Sequence, residues 1–252
     1  MAKVRAKKYL GQHFLTDHSI AQNIVNNLSP QKTILEIGPG MGVLTQFIIE
    51  RESELFVVEL DKESVSYLHH HYPSLKNHII SGDFLKLPIE QLFDHQIGLI
   101  GNFPYNISSQ ILFKVLEHKN CITEIVGMFQ KEVAERISSK PCKKSYGILS
   151  VFIQCYYDVE YLFTVDEDVF DPPPKVKSAV IRLKRNQRQN LPCDEQKFIK
   201  VVKTAFGMRR KTLRNALKSL TLLNENSAEK YLNQRAEQLS VEDFFKLTDC
   251  FE

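Results

Sequence analysis

The sequence predicts an α/β fold: a parallel sheet covered by helices on both faces, joined to a small C-terminal all-helical domain. Three observations carry this reading. Across the first two-thirds of the chain, short apolar runs alternate with helical segments, the order that builds a parallel sheet. Chemically distinctive residues, Gly38, Glu59, Asp83 and Asn102, fall at the carboxyl ends of successive runs. Beyond Lys184 the composition turns polar, then basic and helix-forming.

Residues 33–37 are expected to form the first strand and 41–50 the helix after it, followed by a strand at 54–58 and a helix from 62 to about 71. Residues 78–80 and 97–100 read as further strands, 108–117 as an amphipathic helix, 124–129 as a strand and 131–137 as a helix. Residues 146–154 fit helix and strand alike. The runs 159–165 and 178–183 enclose the turn-rich Asp171-Pro172-Pro173-Pro174 and, lacking a long crossover, are expected to pair as an antiparallel edge hairpin. Residues 185–192 read as a linker, and 195–206, 211–220, 227–233 and 241–251 as helices. The expected domains are therefore 1–186, the sheet domain with a basic N-terminal tail, and 187–252, a helical domain.

Composition narrows the function. A length of 252 residues allows one large domain or a domain plus an appendage. No apolar run approaches the ~18 residues that span a bilayer, and the basic residues 1–8 lack the apolar core of a secretory signal. Cys121, Cys142, Cys155, Cys193 and Cys250 form no CxxC pair, which points to a reducing cytoplasm rather than disulfides or zinc. His69, His70 and His71 are adjacent and cannot converge from one helix, so no metal is expected. From Lys175 to Lys218 there are 14 Lys and Arg against two acids, a local charge of +12 on a chain whose net charge is +3. Solvated surfaces usually mix both signs, so this block is read as a footprint for nucleic acid.

Glu36-Ile37-Gly38-Pro39-Gly40-Met41-Gly42 ends the first strand and opens a helix. Its glycines let the backbone turn sharply and approach a ligand closely. Glu59 lies 21 residues after Gly38, near the ~20-residue spacing of an acid that binds ribose hydroxyls. The loop is GxGxG rather than GxGxxG, which disfavours a dinucleotide and suits a nucleoside without pyrophosphate, such as S-adenosylmethionine. Asp83 after the third strand can accept from an adenine amine. Gly101-Asn102-Phe103-Pro104-Tyr105 follows a further buried strand. Asn102 offers a carboxamide oxygen, Pro104 fixes the backbone so that the Phe103 carbonyl can aim outward, and Tyr105 offers a stacking face. Two acceptors and a ring suit an exocyclic amine on a planar heterocycle, such as N6 of adenine.

With these residues the chain resembles the KsgA family of small-subunit ribosomal RNA adenine N6,N6-dimethyltransferases. The resemblance implies a Rossmann-like class I S-adenosylmethionine-dependent methyltransferase domain with a small C-terminal helical domain. It runs from Lys8-Tyr9-Leu10-Gly11-Gln12-His13-Phe14-Leu15, through the glycine loop, residues 101–108 and Phe170-Asp171-Pro172-Pro173-Pro174-Lys175-Val176, to Phe206-Gly207-Met208-Arg209-Arg210-Lys211-Thr212-Leu213-Arg214-Asn215. The Erm enzymes, which methylate large-subunit RNA, share the first motifs but differ in the last. By resemblance, His13, Leu15, Gly38, Gly40, Glu59, Asp83 and Asn102 match cofactor-binding positions. The chain departs from many members at His13, where Asn is frequent, and at Phe103, where Leu is frequent.

The adenine N6 lone pair is delocalised into the ring, so the amine is a poor nucleophile. Acceptance of its two hydrogens by the Asn102 oxygen and the Phe103 carbonyl is expected to stabilise a more tetrahedral nitrogen as positive charge develops. Pro104 shapes the turn, Tyr105 stacks on one face of the base, and Phe170, by resemblance, closes the other. Lys175, Lys177, Arg209, Arg210, Lys211 and Arg214 are read as phosphate contacts that position RNA without reading sequence. The family's substrate implies two adjacent adenosines in a 3′-terminal hairpin loop, met within an assembling small subunit. The chain is expected to act as a cytoplasmic monomer with no membrane and no obligate protein partner. Two alternatives stay open: an Erm-like enzyme of large-subunit RNA, and a non-catalytic RNA-binding ribosome-assembly factor. Intact Glu59, Asp83, Asn102 and Tyr105 weigh against the second.

Overall fold

The computed structural model describes residues 4–252; residues 1–3 of the basic N-terminal stretch lie outside the described residues. The chain divides into two compact units, one running to Ala134 and resuming at Asp158–Arg185, the other comprising Glu135–Tyr157 and Asn186–Glu252. This differs from a boundary at 186, because 135–157 joins the helical unit. The reason lies in its partners: the Asn186 N–H donates to the Tyr156 carbonyl at 2.9 Å, Arg188 Nη1 to the Cys155 carbonyl at 2.8 Å, and the Tyr156 hydroxyl to Glu195 at 2.6 Å. The same bonds hold residues 186–188 in place, where a free linker was expected.

The strands are β1 (Phe14–Leu15), β2 (Thr33–Ile37), β3 (Glu54–Glu59), β4 (Ile79–Ser81), β5 (Ile97–Asn102), β6 (Ile122–Gln130), β7 (Tyr157–Val165), β8 (Phe170–Asp171) and β9 (Ser178–Arg185). Seven of them form one sheet of order β4-β3-β2-β5-β6-β9-β7, while β1 and β8 pair separately and antiparallel. The first five positions in that order are joined by parallel pairings, and β9 enters antiparallel to β6. The strands expected as a hairpin are thus neighbours at the far edge. Every residue of β2 is buried, which requires cover on both faces.

On one face, Ile34, Leu55, Val57, Ile100, Val126 and Val180 pack with Ala21, Ile24 and Val25 of α1 (His18–Asn26). Sequence reasoning passed over α1. Asp17 caps it by accepting from the N–H groups of Ser19 at 2.8 Å and Ile20 at 3.1 Å. The helix expected at 41–50 contracts to α2 (Thr45–Ile48). Gly42 adopts φ +83°, a left-handed conformation that keeps residues 41–44 in turns. Then follow α3 (Lys62–His71), α4 (Ile89–Leu92), α5 (Ser108–Glu117) and α6 (Lys131–Ile137).

In the helical unit the ambiguous segment resolves as α7 (Ile148–Tyr156), buried on nearly all sides, the case in which apolar periodicity cannot separate helix from strand. It is followed by α8 (Glu195–Gly207), α9 (Leu213–Ala216), α10 (Glu225–Leu232) and α11 (Val241–Thr248). The helix expected at 211–220 reduces to α9, because tertiary partners take its flanking backbone groups. The Leu213 N–H bonds outward to the Gln234 carbonyl at 2.7 Å, and Leu222 bridges to Phe251. No helix among the described residues is long and apolar enough to cross a membrane.

Candidate active site

A cleft opens at the carboxyl ends of β2, β3 and β5, where ligands bind in open α/β sheets. With the solvent at its mouth it encloses about 940 Å³. The glycine loop turns into it from β2. Gly40 sits at φ +57°, and a side chain there would bring its Cβ to 2.8 Å from the Phe14 ring, so neither the conformation nor the space admits another residue.

Glu59 closes β3 and is buried. One carboxylate oxygen accepts the Gly40 N–H at 3.0 Å and the other the Asp61 N–H at 2.8 Å, so the acid clamps the glycine loop to the start of α3. Burial pushes its pKa up against the pull of these N–H groups. Asp83 accepts the Leu85 N–H at 3.0 Å through Oδ1, capping a single 3₁₀ turn. Both acids line the cleft, with Ile37, Val58, Leu60, Phe84 and Leu85 as apolar wall.

Asn102 ends β5 and donates its amide nitrogen to the His13 carbonyl at 2.9 Å. That bond fixes the carboxamide plane and leaves Oδ1 as a free-pointing acceptor. The Phe103 N–H donates to the Met128 carbonyl at 3.1 Å, and its buried ring packs on Phe129 with centroids 4.9 Å apart. Gly101 and Gly127 make room for that ring; a Cβ on Gly127 would stand 2.1 Å from it. Pro104 and Tyr105 continue the cleft wall. The Tyr105 hydroxyl bonds to the Ser178 hydroxyl, and burial raises its pKa.

Of three further expected site residues, one lines the cleft and two do not. His13 lines the cleft, but its ring also stacks on Tyr105 at 5.5 Å, and its Nδ1 donates to the Pro172 carbonyl at 2.7 Å. Leu15 is buried and lines a second cavity, behind the glycine loop, with Glu36, Gly38, Met41 and Tyr72. Phe170 is 4% exposed, packs in the core with Val165 and Val180, and does not line the cleft. The pairing of β1 with β8 sets Leu15 opposite Phe170 and turns both inward.

Glu36 was not singled out from the sequence, though an acid inside an otherwise apolar strand was a signal. It is buried, accepts the Thr45 hydroxyl at 2.6 Å, and is pushed up to about 8 mainly by burial.

The cations divide into two groups. Lys177 pairs with Asp166 at 2.6 Å, Arg209 with Glu237 at 3.5 Å, and Arg214 with Glu225 at 3.3 Å and Glu229 at 2.5 Å. Lys175, Arg210 and Lys211 are exposed and form no ion pair among the described residues. Lys143 and Lys144, which the sequence count did not include, line a shallow hollow with Arg209 and Glu237.

A family model described as ribosomal RNA adenine dimethylase matches residues 3–252. A Cytophaga hutchinsonii protein named ribosomal RNA small subunit methyltransferase A is 58% identical over 253 residues, covering 99% of this chain and 98% of that protein. A Flavobacterium johnsoniae protein of the same name is 56% identical over 255 residues, covering 100% and 98%. The crystal structure of a dimethyladenosine transferase from Plasmodium falciparum matches with a TM-score of 0.81 at 22% identity, covering 95% of this chain and 99% of that one. The 23S rRNA methyltransferase ErmE matches with a TM-score of 0.72 at 23% identity, covering 94% and 98%. At these identities the two structures establish a shared fold, the Rossmann-like methyltransferase sheet with a helical C-terminal part.

Proposed function

The chain belongs to the ribosomal RNA adenine dimethylase family, and on that premise we propose that it dimethylates N6 of two adjacent adenosines in a 3′-terminal hairpin loop of small-subunit ribosomal RNA, using S-adenosylmethionine. The observation that carries this reading is the orientation of Asn102. With its nitrogen bound to the His13 carbonyl, its oxygen is committed to accepting. The amide thus suits the target amine and is already aligned before the substrate arrives.

The cleft fits the cofactor's chemistry. Two carboxylates and an apolar wall line the cleft, a mixture that suits ribose hydroxyls beside an adenine ring. Glu59 keeps lone pairs beyond its two backbone bonds for ribose hydroxyls, and Asp83 keeps Oδ2 for an adenine amine. When bound, S-adenosylmethionine supplies an electrophilic methyl group on a sulfonium. The protein's own residues do the rest: Asn102 Oδ1 and the Phe103 carbonyl accept the N6 hydrogens, and Tyr105, its hydroxyl held by Ser178, gives a stacking face of fixed plane. Of the six cations proposed to meet phosphate, Lys175, Arg210 and Lys211 form no ion pair among the described residues and are open to it. The substrate reading favours a monomer working in the cytoplasm on an assembling small subunit.

Relatives named for the small subunit, at 56–58% identity over the full chain, favour this reading over an Erm-like activity and over a non-catalytic assembly factor. The test is methyl transfer from labelled S-adenosylmethionine to unmodified small subunits, large subunits and DNA, with mass analysis of digested nucleosides. N6,N6-dimethyladenosine from small subunits alone is expected. Label in large subunits or DNA would overturn the substrate, and no label anywhere despite subunit binding would favour the assembly factor.

A further inference from the structure

We propose that Lys7 is a positioning residue for the cofactor, latching the segment 8–14 along the cleft through an ion pair with Asp61 and Glu63; this rests on the methyltransferase reading of that cleft. Residues Leu10 to Phe14 line the cleft. At the far end of this stretch the segment is fastened by the His13 carbonyl to Asn102 and by the pairing of β1 with β8. Before them the fastening is Lys7, whose ammonium binds the Asp61 carboxylate and lies 3.1 Å from Glu63. The Lys7 N–H also donates to the Gln12 side chain at 2.8 Å, drawing the segment onto itself, and the turn 8–10 closes on Gly11. The strap is therefore tied at both ends, with the cleft between the ties.

The anchor is chemically suited to the task. Asp61 is buried, and burial alone would raise its pKa. Lys7, the Glu63 N–H and the Ser64 hydroxyl outweigh that and hold it below the ordinary carboxylate range, so it is charged. Hydrogen bonds to Asp61 and Glu63 raise the pKa of Lys7, so both partners of the latch are ionised at neutral pH. The Asp61 N–H donates to Glu59, so one residue ties the strap to the acid proposed to hold the ribose. Neither Lys7 nor Asp61 lines the cleft. Their effect reaches the cofactor through Glu59 and the strap.

Removing the ammonium should leave the fold intact. In Lys7→Met the Asp61 carboxylate keeps the Glu63 N–H at 3.2 Å and the Ser64 hydroxyl at 3.2 Å. The measurement is calorimetric titration of the full chain with S-adenosylhomocysteine, alongside kcat and KM for S-adenosylmethionine. Lys7→Met is expected to weaken binding and raise KM by roughly tenfold, the scale of one lost charge-assisted hydrogen bond, with kcat at saturating cofactor within about twofold. Lys7→Arg should restore KM, and Glu63→Gln, removing only the outer partner, should raise it about two- to threefold. Wild-type binding and KM in Lys7→Met would overturn the latch while leaving the methyltransferase reading intact. A fall in kcat with KM unchanged would overturn it too. A wild-type chain that bound no S-adenosylhomocysteine would overturn the reading and the latch together.

Discussion

In the cleft, the polar side chains are held by backbone groups: Glu59 by two N–H groups, Asp83 by one, Asn102 by a carbonyl. In the helical unit, Arg209 and Arg214 are held by acids on other turns, Glu237, Glu225 and Glu229. Backbone partners follow from sheet topology, which places strand ends side by side. Ion pairs follow from surface packing, which a charge count along the chain cannot see. The block with a local charge of +12 therefore presents fewer open cations than its composition suggests.

The sharpest way to break this comparison is Asn102→Ala. If the amide is an aligned acceptor, methyl transfer should fall by about 10²–10³, the scale of a lost transition-state hydrogen bond, while cofactor affinity stays within a few-fold. Wild-type turnover would remove Asn102 from the chemistry. Gly127→Ala probes the neighbouring acceptor from behind. Its Cβ would meet the Phe103 ring, so the ring and its carbonyl must shift. We expect kcat to drop about tenfold and stability to fall by about 1–3 kcal/mol, the range for overpacking a core. Phe103→Leu in the same chain should recover part of both, and failure to recover would mean that the ring does not transmit the shift.

On the basic side, Arg210→Ala with Lys211→Ala should lower the slope of log affinity for RNA against log salt by about one to two, and Arg214→Ala by less, because its charge is already shared with two acids. Equal slopes for the two variants would mean that the acids release Arg214 on binding. The smallest effect concerns Glu36. Its folded pKa of about 8 stands above the ordinary 4.5, so between those values the folded chain keeps a proton that the unfolded chain has lost. Stability from this group is thus lost as pH rises through that window. Thermal unfolding across it should show Glu36→Gln flattening the decline, and an unchanged profile would place the decline elsewhere.

Glu59, Asp83 and Asn102 were legible because strand ends and spacing decide where they stand. The inward direction of Phe170 and Leu15 was not, because it depends on two-residue strands that pair across most of the chain. The helix α1 could have been read from Asp17 as a cap and from the apolar spacing of Ala21, Ile24, Val25 and Leu28. The segment 146–154 could not, because burial on nearly all sides erases periodicity. Lys143, Lys144 and Arg209 meet only through tertiary packing.

The most direct measurement is a crystal structure of the chain with S-adenosylhomocysteine. The account predicts ribose hydroxyls within hydrogen-bonding distance of Glu59, the adenine amine at Asp83, and the sulfur turned toward Asn102 and Phe103. Ligand seated instead in the cavity behind the glycine loop, against Glu36 and Tyr72, with Glu59 and Asp83 untouched, would contradict it.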